Sequence, residues 1–325
     1  MHIPDGFLDP KTAITTGILS FSGLGWALRT LKQHSIERKV PLIGLAAAFI
    51  FVAQMINFPV ASGTSGHLLG ATLIAVLLGP CSAIIVMSSV LIVQCLLFAD
   101  GGILALGANI FNMAIVAPIS GYGLYKILRP ILKDERGQIT AVAFASWWSI
   151  VLASMFCAGE LAWSGTAPWN TAFPAMAIIH MFIGIGEALI TALVITAISK
   201  TRPELLHENM NSKRERRSTG LLGYGILVIA GIVIFIVPFA SPWPDGLEKV
   251  ATTLGFGHKA MHQPFLSSPM SEYQIPGMTS LTTATILAGL IGAVVAFGLS
   301  FVLAKLLVPS DSNKNLPSKG QPHAS

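Results

Sequence analysis

The chain has 325 residues, of which 53% are hydrophobic and 11% charged, with a mean hydropathy of +0.70 and a formal net charge of +5. A soluble domain has about 25% charged residues, so this composition excludes soluble enzymes, nucleic-acid-binding proteins and disordered chains. It predicts a multi-pass membrane protein, in which a basic excess reports topology rather than an anionic partner.

The sequence begins with Met1-His2-Ile3-Pro4-Asp5-Gly6, which lacks the basic region of a signal peptide. If retained, these residues are expected to lie free on the outer face. A free α-amine followed by histidine offers three nitrogen ligands in nearly one plane: the amine, the deprotonated His2 amide and the His2 imidazole. One further nitrogen completes a square, which Ni(II) and Cu(II) prefer. The alternative is that His2 is only the second residue of an exposed terminus.

Eight apolar stretches follow, each with enough residues to cross a bilayer, which takes about 20 in a helix. The stretch 67–98 has room for one tilted helix or for two helices that break at Gly79-Pro80, since a helix readily ends where proline follows glycine. All eight lie at approximately 12–29, 41–58, 67–98, 104–125, 139–159, 173–199, 221–239 and 281–306.

The Lys and Arg residues decide how often 67–98 crosses. They form four groups, at 29–39, 126–136, 200–217 and 305–319. All four groups share the cytoplasmic side only if 67–98 crosses twice. We therefore predict an all-α polytopic membrane protein with about nine transmembrane helices, seven followed by two, with the N-terminus outside and the C-terminus cytoplasmic. Of the 20 basic residues, three stay outside: Lys11, Lys249 and Lys259.

The second candidate ligand, His67, opens one of these spans on the same outer side as Met1. The preceding residues, Gly63-Thr64-Ser65-Gly66, are small and are expected to be flexible enough for the N-terminal peptide to reach His67. A lone histidine at a membrane face is also typical of an interfacial hydrogen-bonding group. A metal site and an interfacial role both remain open on the residues alone.

Two ionisable residues, His180 and Glu187, are seven positions apart inside one span and therefore lie on one helix face. Ionisable groups inside a span indicate function by default. The alternatives are a hydrogen-bonded pair that fixes helix packing, a role in transport, or the catalytic pair of a membrane enzyme. The HExxH motif of metalloproteases and the Walker ATP-binding loop are both absent from the sequence. Interhelical hydrogen bonds are expected for three further polar residues, Gln94, Asn109 and Asn112.

Two polar stretches divide the chain. Residues 201–220 predict a cytoplasmic linker between a seven-helix region, 1–200, and a two-helix region, 221–308, and residues 309–325 predict a disordered cytoplasmic tail. The last two spans flank an outer loop at roughly 240–280 that is rich in Pro, Gly and Ser. Its Pro244-Asp245-Gly246 repeats residues 4–6, and by itself indicates only a turn.

Together these residues resemble the CbiM/NikM family, the cobalt/nickel substrate-specific (S) components of energy-coupling factor (ECF) ABC transporters. The resemblance runs through MHIPDGFL, NFPVASGTSGHLLG, LLFADGGILALGANIFNM and HMFIGIGEALIT, over approximately residues 1–200. Residues from about 220 to 308 resemble the NikN-like partner that carries the PDGLE motif, which is here fused to the CbiM/NikM-like region in one chain. One departure is Ala71, where the family often has a second glycine after HLLG.

The resemblance implies a metal site formed by the Met1 amine, the His2 amide and imidazole, and His67. It implies that Ni²⁺ or Co²⁺ is the transported substrate, captured outside a prokaryotic plasma or inner membrane and released inward by a transmembrane T subunit with ATP-binding cassette ATPases. The chain would then be a non-catalytic subunit, and the NikN-like fusion favours nickel. A deprotonated amide ligand predicts that metal affinity falls at low pH. A membrane enzyme using His180 and Glu187 and a stand-alone metal carrier are the alternatives.

Overall fold

The computed structural model describes residues 1–33, 39–202, 218–261 and 267–307. In these ranges the chain is mostly helical, and a single pair of two-residue strands is present, β1 (Phe58–Pro59) antiparallel to β2 (Ser65–Gly66). The helices are α1 (Pro10–Lys32), α2 (Val40–Gln54), α3 (Ala71–Leu78), α4 (Pro80–Phe98), α5 (Leu106–Asn109), a π-helical segment (Ile110–Val116), α6 (Ala117–Leu128), α7 (Glu135–Trp163), α8 (Trp169–Thr201), α9 (Ser218–Phe235), α10 (Gly246–Thr253) and α11 (Leu281–Leu306).

Helix ends follow local sequence signals. Asp9 caps α1 by accepting the backbone N–H of Thr12 at 3.0 Å, and Pro10 occupies the first turn, where its missing N–H is no loss. Ser280 caps α11 in the same way by accepting the N–H of Thr283. Both helices therefore begin directly after a residue whose side chain caps the first turn.

In the described part of the chain, five helical segments are long and apolar enough to cross a membrane, and α2 is a shorter apolar helix. Large apolar side chains are exposed on the outside of these helices, as expected where a protein contacts lipid; examples are Phe156, Leu193, Phe235 and Val294. The prediction of a mainly helical membrane protein is confirmed, while the number of crossings and their direction stay predictions. The five segments are Pro80–Phe98, Glu135–Trp163, Trp169–Thr201, Leu222–Phe239 and Leu281–Leu306.

The predicted break at Gly79-Pro80 is present. Helix α3 ends at Leu78 and α4 begins at Pro80, and Gly79 between them has φ +93°, a conformation that glycine adopts at little cost. The Lys39 ammonium donates to the Leu78 carbonyl at 3.4 Å, so this turn lies beside the start of α2. With eight residues, α3 is short for a span.

The two C-terminal helices pack on the N-terminal region. Helix α11 contacts α2 and α4, and α9 contacts α2 and α11. The long helices α7 and α8 pack against each other, and α10 rests on α8. The predicted linker falls largely on 203–217 and the predicted tail on 309–325, which lie outside the described residues.

Candidate metal centre

The N-terminal segment is inserted into the protein. Ile3 is fully buried, and its backbone N–H donates to Asn109 Oδ1 at 2.8 Å, while Asn109 Nδ2 donates back to the Ile3 carbonyl at 3.1 Å. The same carbonyl accepts the N–H of Gly102 at 2.8 Å. The expectation that the terminus lies free is therefore wrong, because a helix end and a loop provide the partners of its backbone, while its location on the outer face stays a prediction. Asn109 binds this segment rather than a neighbouring helix.

The terminal amine of Met1 forms an ion pair with Asp245. Met1 is 6% exposed, and its nitrogen lies 2.6 Å from Asp245 Oδ2. Asp245 is also the N-cap of α10, because its Oδ1 accepts the Glu248 backbone N–H at 2.7 Å. Burial raises the pKa of Asp245, but the terminal ammonium and this N–H outweigh it and hold that pKa below its usual range.

The imidazole of His2 lies between two oxygen groups. Its Nδ1 is 3.1 Å from Asp100 Oδ1, and its Nε2 is 3.2 Å from Gln94 Oε1. Gln94 in turn donates to Gln54 at 2.9 Å. Nδ1 is the nitrogen that can close a chelate ring with the residue's own amide, since Nε2 lies too far from it. Within the described ranges, no acceptor contacts the backbone N–H of His2.

The loop that carries His67 is held at both ends. On one side, β2 pairs with β1. On the other side, Glu187 on α8 accepts the backbone N–H groups of Leu69 at 2.6 Å and Gly70 at 2.9 Å. The expectation of a flexible loop before His67 is thus corrected, because Ser65 and Gly66 form a strand and the loop after them is tied to a buried carboxylate.

One nitrogen of the His67 imidazole has a backbone partner. Its Nδ1 lies 3.3 Å from the Leu68 carbonyl, an acceptor that requires the proton on Nδ1 and leaves Nε2 free to bind a metal. Burial lowers the pKa of His67 most, and together with the nearby terminal ammonium it brings that pKa to about 3. His67 is therefore neutral at physiological pH, which is the form that coordinates metal ions.

The structure brings all three predicted residues together. The rings of His2 and His67 stack with centroids 5.5 Å apart. Met1 and His67 line a cavity of about 10 Å³, close to the volume of one water-sized particle, together with His180, Asp245 and Gly246. No group of three His, Cys, Asp or Glu side chains with metal-ligand spacing occurs in the ranges described. A nitrogen site here therefore depends on the terminal amine and a backbone amide.

His180 and Glu187 do not form the hydrogen-bonded pair that the sequence suggested. His180 Nδ1 contacts the Met176 carbonyl at 2.8 Å, and both Glu187 oxygens accept backbone N–H groups of the His67 loop. His180 faces the cavity instead. The two residues thus have separate hydrogen-bond partners, and the geometry of a catalytic pair is not formed.

Replacing Glu187 with alanine tests its hold on the loop. The backbone N–H groups of Leu69 and Gly70 would each lose a buried acceptor, at a cost of about 1–3 kcal/mol apiece. We expect a lower melting temperature and weaker nickel binding, measured by thermal unfolding and equilibrium dialysis. Thr191→Val, one turn along the same buried helix, removes a hydroxyl without a partner in the described structure and is the control. Equal nickel binding in both variants would contradict this role.

Sequence reasoning missed the carboxylates of Asp100 and Asp245. A signal for Asp245 was present, because an Asp followed three residues later by Glu248 is the pattern of a capping box at a helix start. The capping box predicts α10 but not the contact with Met1, which lies 244 residues away in the chain.

Two families match successive parts of this chain. Residues 2–205 match the family described as a cobalt uptake substrate-specific transmembrane region, and residues 219–309 match the PDGLE domain.

Individual proteins are similar over most of the length. A putative fused nickel transport protein NikMN of Archaeoglobus fulgidus is 34% identical over 311 residues, 94% of this chain and 98% of the relative. A fused nickel transport protein NikMN of Rhodobacter capsulatus is 34% identical over 272 residues, 78% of each. A crystal structure of a truncated transition metal transporter is 36% identical with a TM-score of 0.57, and the match covers 62% of this chain and 99% of that one.

Proposed function

The chain belongs to the CbiM family of cobalt uptake substrate-specific transmembrane proteins, and from this premise we propose that it is the metal-capturing subunit of an ATP-driven importer of the ECF type. At the coarser level it is a membrane protein of nickel or cobalt transport. Beyond this, we propose which groups bind the ion, which ion is preferred and what supplies the energy for transport.

One observation carries the assignment of the ligands. Met1 and His67 line one small cavity, and the His2 ring stacks on the His67 ring with centroids 5.5 Å apart, while the described ranges contain no group of three His, Cys, Asp or Glu side chains that could hold a metal. Amine, amide and imidazole nitrogens suit Ni(II) and Co(II) and are poor ligands for Mg or Ca, which prefer oxygen. We propose that these nitrogens bind the transported ion in a square.

Nickel is the favoured substrate. The relatives that share both regions with this chain are named as nickel transport proteins, and nitrogen sites bind Ni(II) more tightly than Co(II) in general. Competition between the two ions for the purified protein tests this choice. Tighter binding of Co(II) than Ni(II) would contradict it.

The energy for transport is proposed to come from partner subunits. The sequence has no Walker loop, so a T subunit and ATP-binding cassette ATPases would drive release of the ion into the cytoplasm. In this arrangement the N-terminus faces outward in a prokaryotic cell membrane. A stand-alone carrier would need none of these partners.

Nickel uptake by cells that express the chain separates these possibilities. We expect radioactive nickel to accumulate when the T subunit and active ATPases are present, and to stay at background when the ATPases carry an inactive Walker lysine. Accumulation that is independent of the ATPases would favour a stand-alone carrier. The membrane-enzyme alternative predicts normal uptake in a Glu187→Ala strain, whereas the proposed function predicts reduced uptake.

A further inference from the structure

We propose that the PDGLE domain supplies a positioning residue of the metal centre, and that Asp245 holds the Met1 amine in its ligating position by accepting a hydrogen bond from it. This inference rests on the proposed function, because it assumes that the amine is a metal ligand. It adds a role for the C-terminal domain at an atom of the N-terminal one.

The Asp245 carboxylate is held in place by a capping box. One oxygen accepts the Glu248 backbone N–H at 2.7 Å, and the Glu248 side chain accepts the Asp245 N–H at 3.2 Å in return. The other oxygen lies 2.6 Å from the Met1 nitrogen. Because the capping box restrains the carboxylate, the amine is held by a group that has little freedom to move.

The turn that contains Asp245 is also hydrogen-bonded to the loop that contains His67. Ser65 donates its backbone N–H to the Pro244 carbonyl at 2.9 Å and its hydroxyl to the Trp243 carbonyl at 2.7 Å. Gly246 abuts His180, and a Cβ at this position would lie 2.9 Å from His180 Cε1. This close approach requires glycine after Asp245. Since the same turn contacts both Met1 and Ser65, it sets the spacing between the Met1 amine and the His67 loop.

The PDGLE domain also has an indirect contact with His2, through Asp100. The Tyr273 hydroxyl donates to Asp100 Oδ2 at 2.6 Å, and Asp100 Oδ1 lies 3.1 Å from His2 Nδ1. The Tyr273 ring stacks on Phe98 with centroids 4.7 Å apart. Asp245 thus contacts a proposed ligand directly, whereas Tyr273 only orients Asp100, whose contact with His2 Nδ1 would be given up when that nitrogen binds a metal.

The arrangement remains favourable once a metal is bound. An amine that coordinates a metal keeps two N–H bonds, and one of them can still be donated to Asp245. A carboxylate next to a ligand of this kind fixes its direction and offsets the charge of a buried divalent ion. Loss of such an outer partner typically lowers metal affinity by about 10–100-fold.

The test compares two variants of the full-length protein. Asp245→Asn keeps an oxygen for the helix cap but turns an amide NH₂, a donor, toward the amine. We expect it to bind nickel about 10–100-fold more weakly and to change the d–d absorption of square-planar Ni(II). The control is Glu248→Ala, which breaks the other half of the capping box and leaves the amine contact in place; nickel affinity should stay within about threefold. Asp245→Ser keeps a hydroxyl oxygen for the helix cap and removes the carboxylate beside the amine, so with the same expected loss it replaces Asp245→Asn if that variant does not fold.

Two results would overturn the inference: unchanged nickel affinity in Asp245→Asn, or an equal loss in Glu248→Ala, which would indicate that only helix capping matters. Two other measurements would show instead that the proposed function itself is wrong. In that case the wild-type protein lacks the square-planar absorption, and removing the His67 imidazole leaves affinity unchanged. A wild-type protein that binds nickel through His67, with Asp245→Asn unaffected, rejects the inference alone.

Discussion

Protein that carries two extra residues before Met1 is expected to bind nickel more than about 100-fold more weakly than protein that begins at Met1. The extension converts the terminal amine into a peptide nitrogen and removes one of four proposed ligands. Because loss of an outer partner alone costs about 10–100-fold, loss of a ligand should exceed that range. The added residues would also have to enter a cavity of about 10 Å³ where Met1 is already buried.

The design of the extension matters. A single added residue would place the histidine third, and a peptide with histidine third offers an amine, two amides and an imidazole by itself. Two added residues, or acetylation of Met1, avoid this artefact. The same two residues attached after Ser325 are the control, and isothermal titration with Ni(II) provides the affinities. Equal affinity in the N-terminally extended and native proteins would show that the amine is not a ligand.

That the three proposed ligand residues lie near one another was predictable in part, from adjacency in the chain and from the pattern of basic residues. The amine and His2 are adjacent in the chain, and His67 was placed on the same side by the distribution of Lys and Arg. The break between α3 and α4 was predictable for the same reason, since Gly79 and Pro80 carry the signal locally.

The residues that hold the ligands were not predictable, because their contacts join distant parts of the chain. Glu187 binds the backbone of Leu69 and Gly70, and Asp245 binds Met1, over separations of more than 100 residues. A buried carboxylate in a span indicates function without naming its partner. His180 and Glu187 share a helix face, as predicted, yet their partners are backbone groups on other elements or one turn away.

Replacing His67 with alanine is the second large effect that we expect. The substitution leaves the amine, amide and imidazole of the first two residues as three ligands, with water as the fourth. Since the Leu68 carbonyl holds Nδ1 and leaves Nε2 as the nitrogen that can bind a metal, we expect the lost bond to be a preorganised one. Nickel affinity should fall by more than about 100-fold, measured by equilibrium dialysis of the purified protein.

The matched control is His258→Ala, because His258 is an exposed histidine of the C-terminal region and its loss should leave nickel affinity unchanged.

The truncated side chain of His67→Ala also permits a rescue experiment. Imidazole added to the solution is small enough to fill the space left by the His67 ring, so it should restore part of the binding and the square-planar absorption of the alanine variant. Rescue requires that the rest of the site stays folded, and it therefore separates loss of a ligand from loss of structure. Full nickel affinity in His67→Ala without added imidazole would show that the fourth ligand comes from elsewhere, with His180 on the cavity wall as the next residue to replace.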